Sequence, residues 1–230
     1  MNSILLRNRT NTTILSGFIL LCSGIALLMF FRNAEGALLH QLNGLHNPVT
    51  DMLFRKITHL GDAAFYWLIG LTVLGTGRQK TGIQLISGGI FACISTSLLK
   101  HFISAPRPLT FYGSNTGYLH FMKGISFEGT DSFPSAHTTY AITLAIVLLC
   151  NEPILLLRIL YITAGILVGF SRMYLANHFP GDVLAGMGIG IICATLSMKI
   201  IGSLTIHGEK ISNNFPSFRQ SKSITPTSTN

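Results

Sequence analysis

Six long apolar stretches, nearly free of charge, organise this chain: about Thr13–Phe31, Leu60–Thr76, Gly82–Ile103, Ala136–Cys150, Pro153–Ser171 and Val183–Ile206. A hydrocarbon core of roughly 30 Å is crossed by about 20 apolar residues in a helix. These lengths therefore predict passes through a bilayer, the second of them short. Composition points the same way: 10% of the 230 residues are charged and 48% are hydrophobic, and the mean hydropathy is +0.50. A water-facing domain carries about 25% charge, and disorder needs low hydrophobicity, so both classes are excluded. Glycines inside the stretches (Gly88, Gly89, Gly165, Gly186, Gly188, Gly190) allow close helix approach, which matters in lipid, where no hydrophobic drive pairs helices. The expected fold is all-α: a six-helix transmembrane bundle, one domain over residues 1–207.

The formal charge of +8 has two readings in so apolar a chain, a loop bias towards the cytoplasm or an anionic ligand. A nucleic-acid partner is not expected, and no obligate protein partner is implied. Cys22, Cys93, Cys150 and Cys193 lie in or at the ends of apolar runs without CxxC spacing, which argues against disulfides and zinc. The first stretch follows Arg7 and Arg9, as a signal peptide would, but it is long and no small-residue cleavage site follows it; retention as a helix is the favoured reading. With a cytoplasmic N-terminus, nine basic residues fall inside and seven outside. Setting aside Lys100, Arg107 and Arg172 as site residues makes it nine against four, in line with the positive-inside rule. Residues 34–59 are too polar to span and are expected along the outer interface. Residues 208–230, rich in Ser, Thr and Asn, read as a flexible cytoplasmic tail.

Three clusters break the apolar pattern. Lys100 and Arg107, seven residues apart, bridge a helix end and a loop; Ser132 to His137 precedes the fourth stretch; Ser171 to Asp182 separates the fifth from the sixth. The first two flank one loop, and the third follows two further crossings, so all three meet the same aqueous side. Two guanidiniums, one ammonium and the Ser135 hydroxyl suit a tetrahedral oxyanion, and a serine at a helix start adds free N–H groups and the dipole. His137 and His178 supply a nucleophile and an acid. Asp182, four residues after His178, reaches back to an imidazole N–H and sets its tautomer, with Pro180 suited to the first turn of the last helix.

These clusters resemble the three-part signature of the type 2 phosphatidic acid phosphatase (PAP2) family: K-x6-RP at Lys100, Arg107 and Pro108; PS-x-H at Pro134, Ser135 and His137; SR-x5-H-x3-D at Ser171, Arg172, His178 and Asp182. The match covers roughly residues 60–205 and is specific in order and spacing. One position departs: Ala136 stands where the family usually has glycine, adding a methyl beside the phosphate cradle. The resemblance implies a bacterial membrane lipid phosphatase, similar to lipid A phosphatases and undecaprenyl-diphosphate phosphatases. It also implies the residue roles. His178 attacks phosphorus and becomes phosphorylated, oriented by Asp182. His137 protonates the leaving oxygen and then activates water. Lys100, Arg107, Ser135, Ala136 and Arg172 form the cradle for the non-bridging oxygens. No cofactor or metal is expected, since cationic side chains replace the metal. The site is expected to face the periplasmic side of the inner membrane.

Several readings stay open at this level. The lipid substrate is one: lipid A phosphate or undecaprenyl diphosphate is favoured over phosphatidylglycerol phosphate and phosphatidic acid. A phosphotransferase using the same histidine, or a lipid-binding protein without turnover, are the other classes. Vanadate-dependent haloperoxidases share the site pattern but are soluble, against the hydropathy. The loop 109–131 carries Phe111, Tyr112, Tyr118, Phe121, Phe127 and Lys123 and reads either as an interfacial aromatic belt or as a lid over the headgroup. His40, His46, His59, His101, His120 and His207 are expected to be structural or solvated.

Overall fold

The computed structural model describes residues 35–113, 119–122 and 128–214, with side chains as far as residue 204. The expected first pass, Tyr118, Lys123 and Phe127 of the loop, and residues 215–230 of the tail lie outside the described residues. All regular structure described is helical: α1 (Glu35–Asn43), α2 (Pro48–Thr58), a 3-10 turn (His59–Gly61), α3 (Ala63–Gly75), α4 (Gln79–Ile103), α5 (Pro108–Tyr112), α6 (Ala136–Asn151), α7 (Leu155–Tyr174) and α8 (Pro180–Asn214).

Local chemistry sets these boundaries. Asn47 caps α2 by accepting from the N–H groups of Val49 and Thr50, while the Thr50 hydroxyl accepts from the Asn47 N–H, and Pro48 occupies the first turn. Asp62, extended at φ −64° and ψ 139°, separates the 3-10 turn from α3. α4 stops at Ser104 in the left-handed region (φ 45°), and Pro106 and Pro108 follow, where continuation would lack the ladder N–H. Ser135 caps α6.

Among the described residues, three helices are long and apolar enough to cross a membrane: α4 running on into α5, α7, and α8. At 1.5 Å per residue, the 25 residues of α4 rise about 37 Å. α2 with its 3-10 turn and α3 qualifies as a pair bent by 55°, and α6 is apolar but shorter. The segment expected at the interface is thus two helices, and α2 is laid against α7. α8 continues to Asn214, past the expected end of the last pass.

The bundle is built around α6, which packs against α4, α7 and α8. From Thr138 to Val147 every residue of α6 is buried, so its length need not match the bilayer. Its hydroxyls are satisfied within the bundle: Thr139 donates to the Ser135 carbonyl (3.0 Å), and Thr143 to the carbonyls of Thr139 (2.8 Å) and Gly190 (3.3 Å). Large apolar side chains instead point away from the core. Ile83, Ile90, Ile94 and Leu98 on α4, and Ile192, Leu196, Ile200 and Leu204 on α8, are exposed at spacings that place each set on one helix face. Apolar faces of that extent are stable against lipid, not water; this is a membrane protein.

Gly186 of α8 marks the closest approach to α6. A Cβ there would lie 2.6 Å from the Ser135 carbonyl oxygen and 3.1 Å from Thr138 Cβ, so α8 must move for alanine to fit. Gly186→Ala should cost about 1–3 kcal/mol by overpacking, seen as a lowered midpoint of thermal unfolding in detergent. An unchanged midpoint would contradict this helix contact.

Candidate active site

At one end of the bundle, the last turn of α4, the starts of α6 and α8, and the end of α7 come together. The pieces are sewn by backbone bonds: the Ser132 N–H donates to the Ala105 carbonyl and the Ser135 N–H to the Asp182 carbonyl, both at 3.0 Å, and the Arg107 N–H donates to the Gly129 carbonyl at 2.9 Å. The three sequence clusters therefore meet on one side, as the crossing parity predicts.

His178 sits in the turn between α7 and α8. Ala176 adopts a left-handed conformation (φ 52°), uncommon for a residue with a Cβ, and folds the chain back so that the N–H groups of Asn177 and His178 both donate to the Arg172 carbonyl. His178 is 1% exposed. Its Nδ1 lies 3.4 Å from Asp182 Oδ2 and 3.4 Å from Ser132 Oγ. The carboxylate is itself held: it accepts from the Ser132 hydroxyl at 2.6 Å and from the Phe179 N–H at 2.9 Å. That second bond is half of a capping box, with the acidic side chain reaching back over the helix start. Burial, with the Arg172 charge adding to it, pulls the His178 pKa below the ordinary histidine range, opposed by its hydrogen bond to Asp182. The resting imidazole is neutral.

His137, second residue of α6, directs Nε2 at Asp62 Oδ1 at 2.9 Å, and the other oxygen of Asp62 meets His59 Nδ1 at 2.8 Å. Ser135 is fully buried, and its Oγ accepts from the Thr138 hydroxyl at 2.9 Å and the Thr138 N–H at 3.5 Å. Ala136 is the first residue of α6 and is not among the positive-φ residues, so the helical backbone takes a methyl there without strain.

Lys100 and Arg107 converge on Asp131. Lys100 Nζ donates to the Asp131 carbonyl at 2.8 Å and to Oδ2 at 3.2 Å; Arg107 donates from Nε to Oδ1 at 2.8 Å and from Nη2 to Oδ2 at 3.1 Å. The Arg107 hydrogen bonds hold the Asp131 carboxyl well below the usual carboxylate range, so it is anionic at neutral pH. Arg172, 5% exposed, donates from Nη1 to Thr58 Oγ1 at 2.7 Å. It acts electrostatically on His137, His178 and Lys100.

All eight residues singled out from the sequence thus lie in this region, and four more that were given no role join them: Thr58, Asp62, Asp131 and Ser132. Asp62 and Asp131 carried a signal, being two of only eight acidic residues, each beside an apolar run or a motif. Thr58 carried none. The α1–α2 layer is also tied to the site. Asp51 accepts from the Tyr174 hydroxyl at 2.6 Å and pairs with His120 at 2.9 Å, while Asn43 bonds the carbonyls of His120 and Tyr174. His120 stacks on His46 with centroids 4.1 Å apart, a structural role. In the described part of the 109–131 loop, Phe111 packs edge-on against Phe179 at 5.5 Å, and Phe121 joins a small core with Tyr174 and Leu175.

Comparison with known proteins gives this geometry its family. Residues 81–206 match the PAP2 superfamily, more than half of the chain. Undecaprenyl-diphosphatase BcrC of Bacillus subtilis is 30% identical over 161 residues, covering 67% of this chain and 76% of that protein. Lipid A 1-phosphatase of Rhizobium etli is 30% identical over 156 residues, covering 58% and 64%. The crystal structure of Aquifex aeolicus LpxE superposes with a TM-score of 0.63 at 28% identity, over 71% of this chain and 93% of that one. With motif, fold and relatives in agreement, this chain belongs to the PAP2 superfamily of phosphatases.

Proposed function

We propose that this membrane phosphatase removes a terminal phosphate from a lipid headgroup by way of a phosphorylated His178. The observation that carries the reading is a buried, neutral imidazole backed by Asp182 and Ser132, set beside three cations at one end of a lipid-facing bundle. With Nδ1 turned to Asp182 and Ser132, Nε2 is the nitrogen left to attack phosphorus. Lys100, Arg107 and Arg172 balance the charge on the equatorial oxygens. Ser135, an acceptor in both of its side-chain bonds, keeps its O–H proton to donate to an oxyanion. His137 gives a proton to the leaving oxygen and then takes one from the attacking water, held in orientation by Asp62. The covalent intermediate divides one difficult displacement into two easier ones.

An apolar groove of about 350 Å³ between α3, α6 and α7 supports a lipid substrate. It is lined by Leu60, Phe65, Ile69, Leu144, Leu148 and Val168, and it starts at the 3-10 turn that ends beside Asp62. The relatives named above favour undecaprenyl diphosphate and lipid A phosphate as substrates, with phosphatidylglycerol phosphate and phosphatidic acid as the alternative. The basic-residue bias supports a site on the periplasmic face of a bacterial inner membrane, both termini being cytoplasmic. The cations set aside in that count are those bonded to Asp131 and Thr58 at the site.

Phosphate release from these four lipids by the detergent-purified protein tests the reading. Release should persist in excess EDTA, because side-chain cations supply the charge, and one of the four should be turned over fastest. No release from any of them by folded protein would overturn it. Product appearing only with an added hydroxyl acceptor would mark a transferase.

A further inference from the structure

The cations that should hold substrate phosphate are already bonded to an anion of the protein itself. Arg107 and the Asp131 carboxylate make a two-point fork, Nε to Oδ1 at 2.8 Å and Nη2 to Oδ2 at 3.1 Å, and Lys100 Nζ closes on Oδ2 at 3.2 Å. A guanidinium takes two phosphate oxygens in the same fork geometry, so the carboxylate stands where a phosphate edge would stand. The carboxylate is presented, not loose: backbone bonds on either side, Arg107 to Gly129 and Ser132 to Ala105, pin its segment to the cradle. Gly129 serves this closeness. Its φ is +134°, and a Cβ there would lie 2.9 Å from Asp131 Oδ1. Yet the side chain of Asp131 is 52% exposed, while those of Lys100 and Arg107 are 20% and 15% exposed. The anion lies at the mouth and the cations behind it, so it can swing outward without unpacking anything.

Resting on the phosphatase reading above, we infer that Asp131 is a specificity-determining residue, a tethered carboxylate that occupies the cradle and yields only to a doubly charged phosphate. Charge explains the selection. Of the three carboxylates at the site, Asp62 is engaged by His59 and His137 and Asp182 by Ser132 and the Phe179 N–H, so Asp131 is the one bonded to the cradle cations Lys100 and Arg107. A terminal phosphate brings two negative charges and gains on the exchange. A phosphodiester brings one, the same as the carboxylate it would displace, and competes with a group held in place at high effective concentration. Phosphodiesters are the bulk of the headgroups around any membrane enzyme, so an unoccupied cradle of three cations would be filled by them.

The test measures anion binding to the full-length, detergent-purified protein by calorimetry, with no turnover involved. Inorganic phosphate and dimethyl phosphate, a singly charged diester, are titrated into wild type, Asp131→Asn and Asp131→Glu. The asparagine variant should bind phosphate about tenfold or more tighter and acquire measurable dimethyl phosphate binding, which wild type lacks. The glutamate variant, still carrying a carboxylate, should keep rejecting the diester, and diester binding by it would overturn the inference even where Asp131→Asn does not fold. Weaker phosphate binding in the asparagine variant would make Asp131 a mere brace for Lys100 and Arg107 and overturn the inference. Equal affinities in all three would overturn it too, leaving the phosphatase reading intact. Absence of phosphate binding in every form would overturn both.

Discussion

Replacing His178 with alanine should lower phosphate release at least about a thousandfold, the scale on which enzymes lose a covalent nucleophile. The expectation rests on placement. The imidazole is buried at the bundle end, within reach of Asp182 and Ser132 through Nδ1, and neutral because burial disfavours its charged form. Among the described residues, no second histidine occupies an equivalent position: His137 is turned to Asp62, and His120 to Asp51. The measurement is turnover of the best lipid in detergent, with thermal unfolding to confirm that the variant is folded. Wild type stopped within a turnover should carry acid-labile phosphate on the protein, and the variant should carry none. Release within tenfold of wild type would remove His178 from the chemistry.

His137→Gln should lower turnover by about 10²- to 10⁴-fold, the range for a lost general acid or base. The two chemical steps should suffer unequally. A diphosphate substrate expels a phosphate, a leaving group of low basicity that needs little protonation, so breakdown of the phosphohistidine by water becomes the slower step. The fraction of enzyme carrying acid-labile phosphate at steady state should therefore rise above that of wild type. Asp62 enters here as a positioning residue. A variant that keeps wild-type turnover would show that His137 carries neither proton.

The helices were legible in the sequence because their signal is local. Apolar runs of bilayer length, and the helix end bridged by Lys100 and Arg107, each depend on neighbours within a few residues. The convergence of the site residues was legible too, because the first two clusters flank one loop, and His178 and Asp182 are one helical turn apart. What could not be read is pairing at long range. Asp62 meets His137, 75 residues on, only because α2 and α3 bend by 55° and bring the corner between them to the start of α6. Thr58 meets Arg172, 114 residues on, for the same reason. Even the local pair was only half readable. Four-residue spacing predicts Asp182 beside His178, but the shorter bond of that carboxylate goes to Ser132, 50 residues earlier.

By itself, then, the sequence determined that this chain lives in a membrane, that its elements are helices, and which charged and imidazole groups share one end of the bundle. Those follow from hydropathy, chain direction and the parity of crossings, which need no packing. Tertiary structure decided which helix lies at the centre, and the answer is the short α6, whose length alone suits a bilayer poorly. It also decided which partner holds each proposed catalytic group, and that Asp131 bonds both Lys100 and Arg107. Hydrogen bonds and ion pairs of this kind act over about 3 Å, so only the folded arrangement of distant segments selects them.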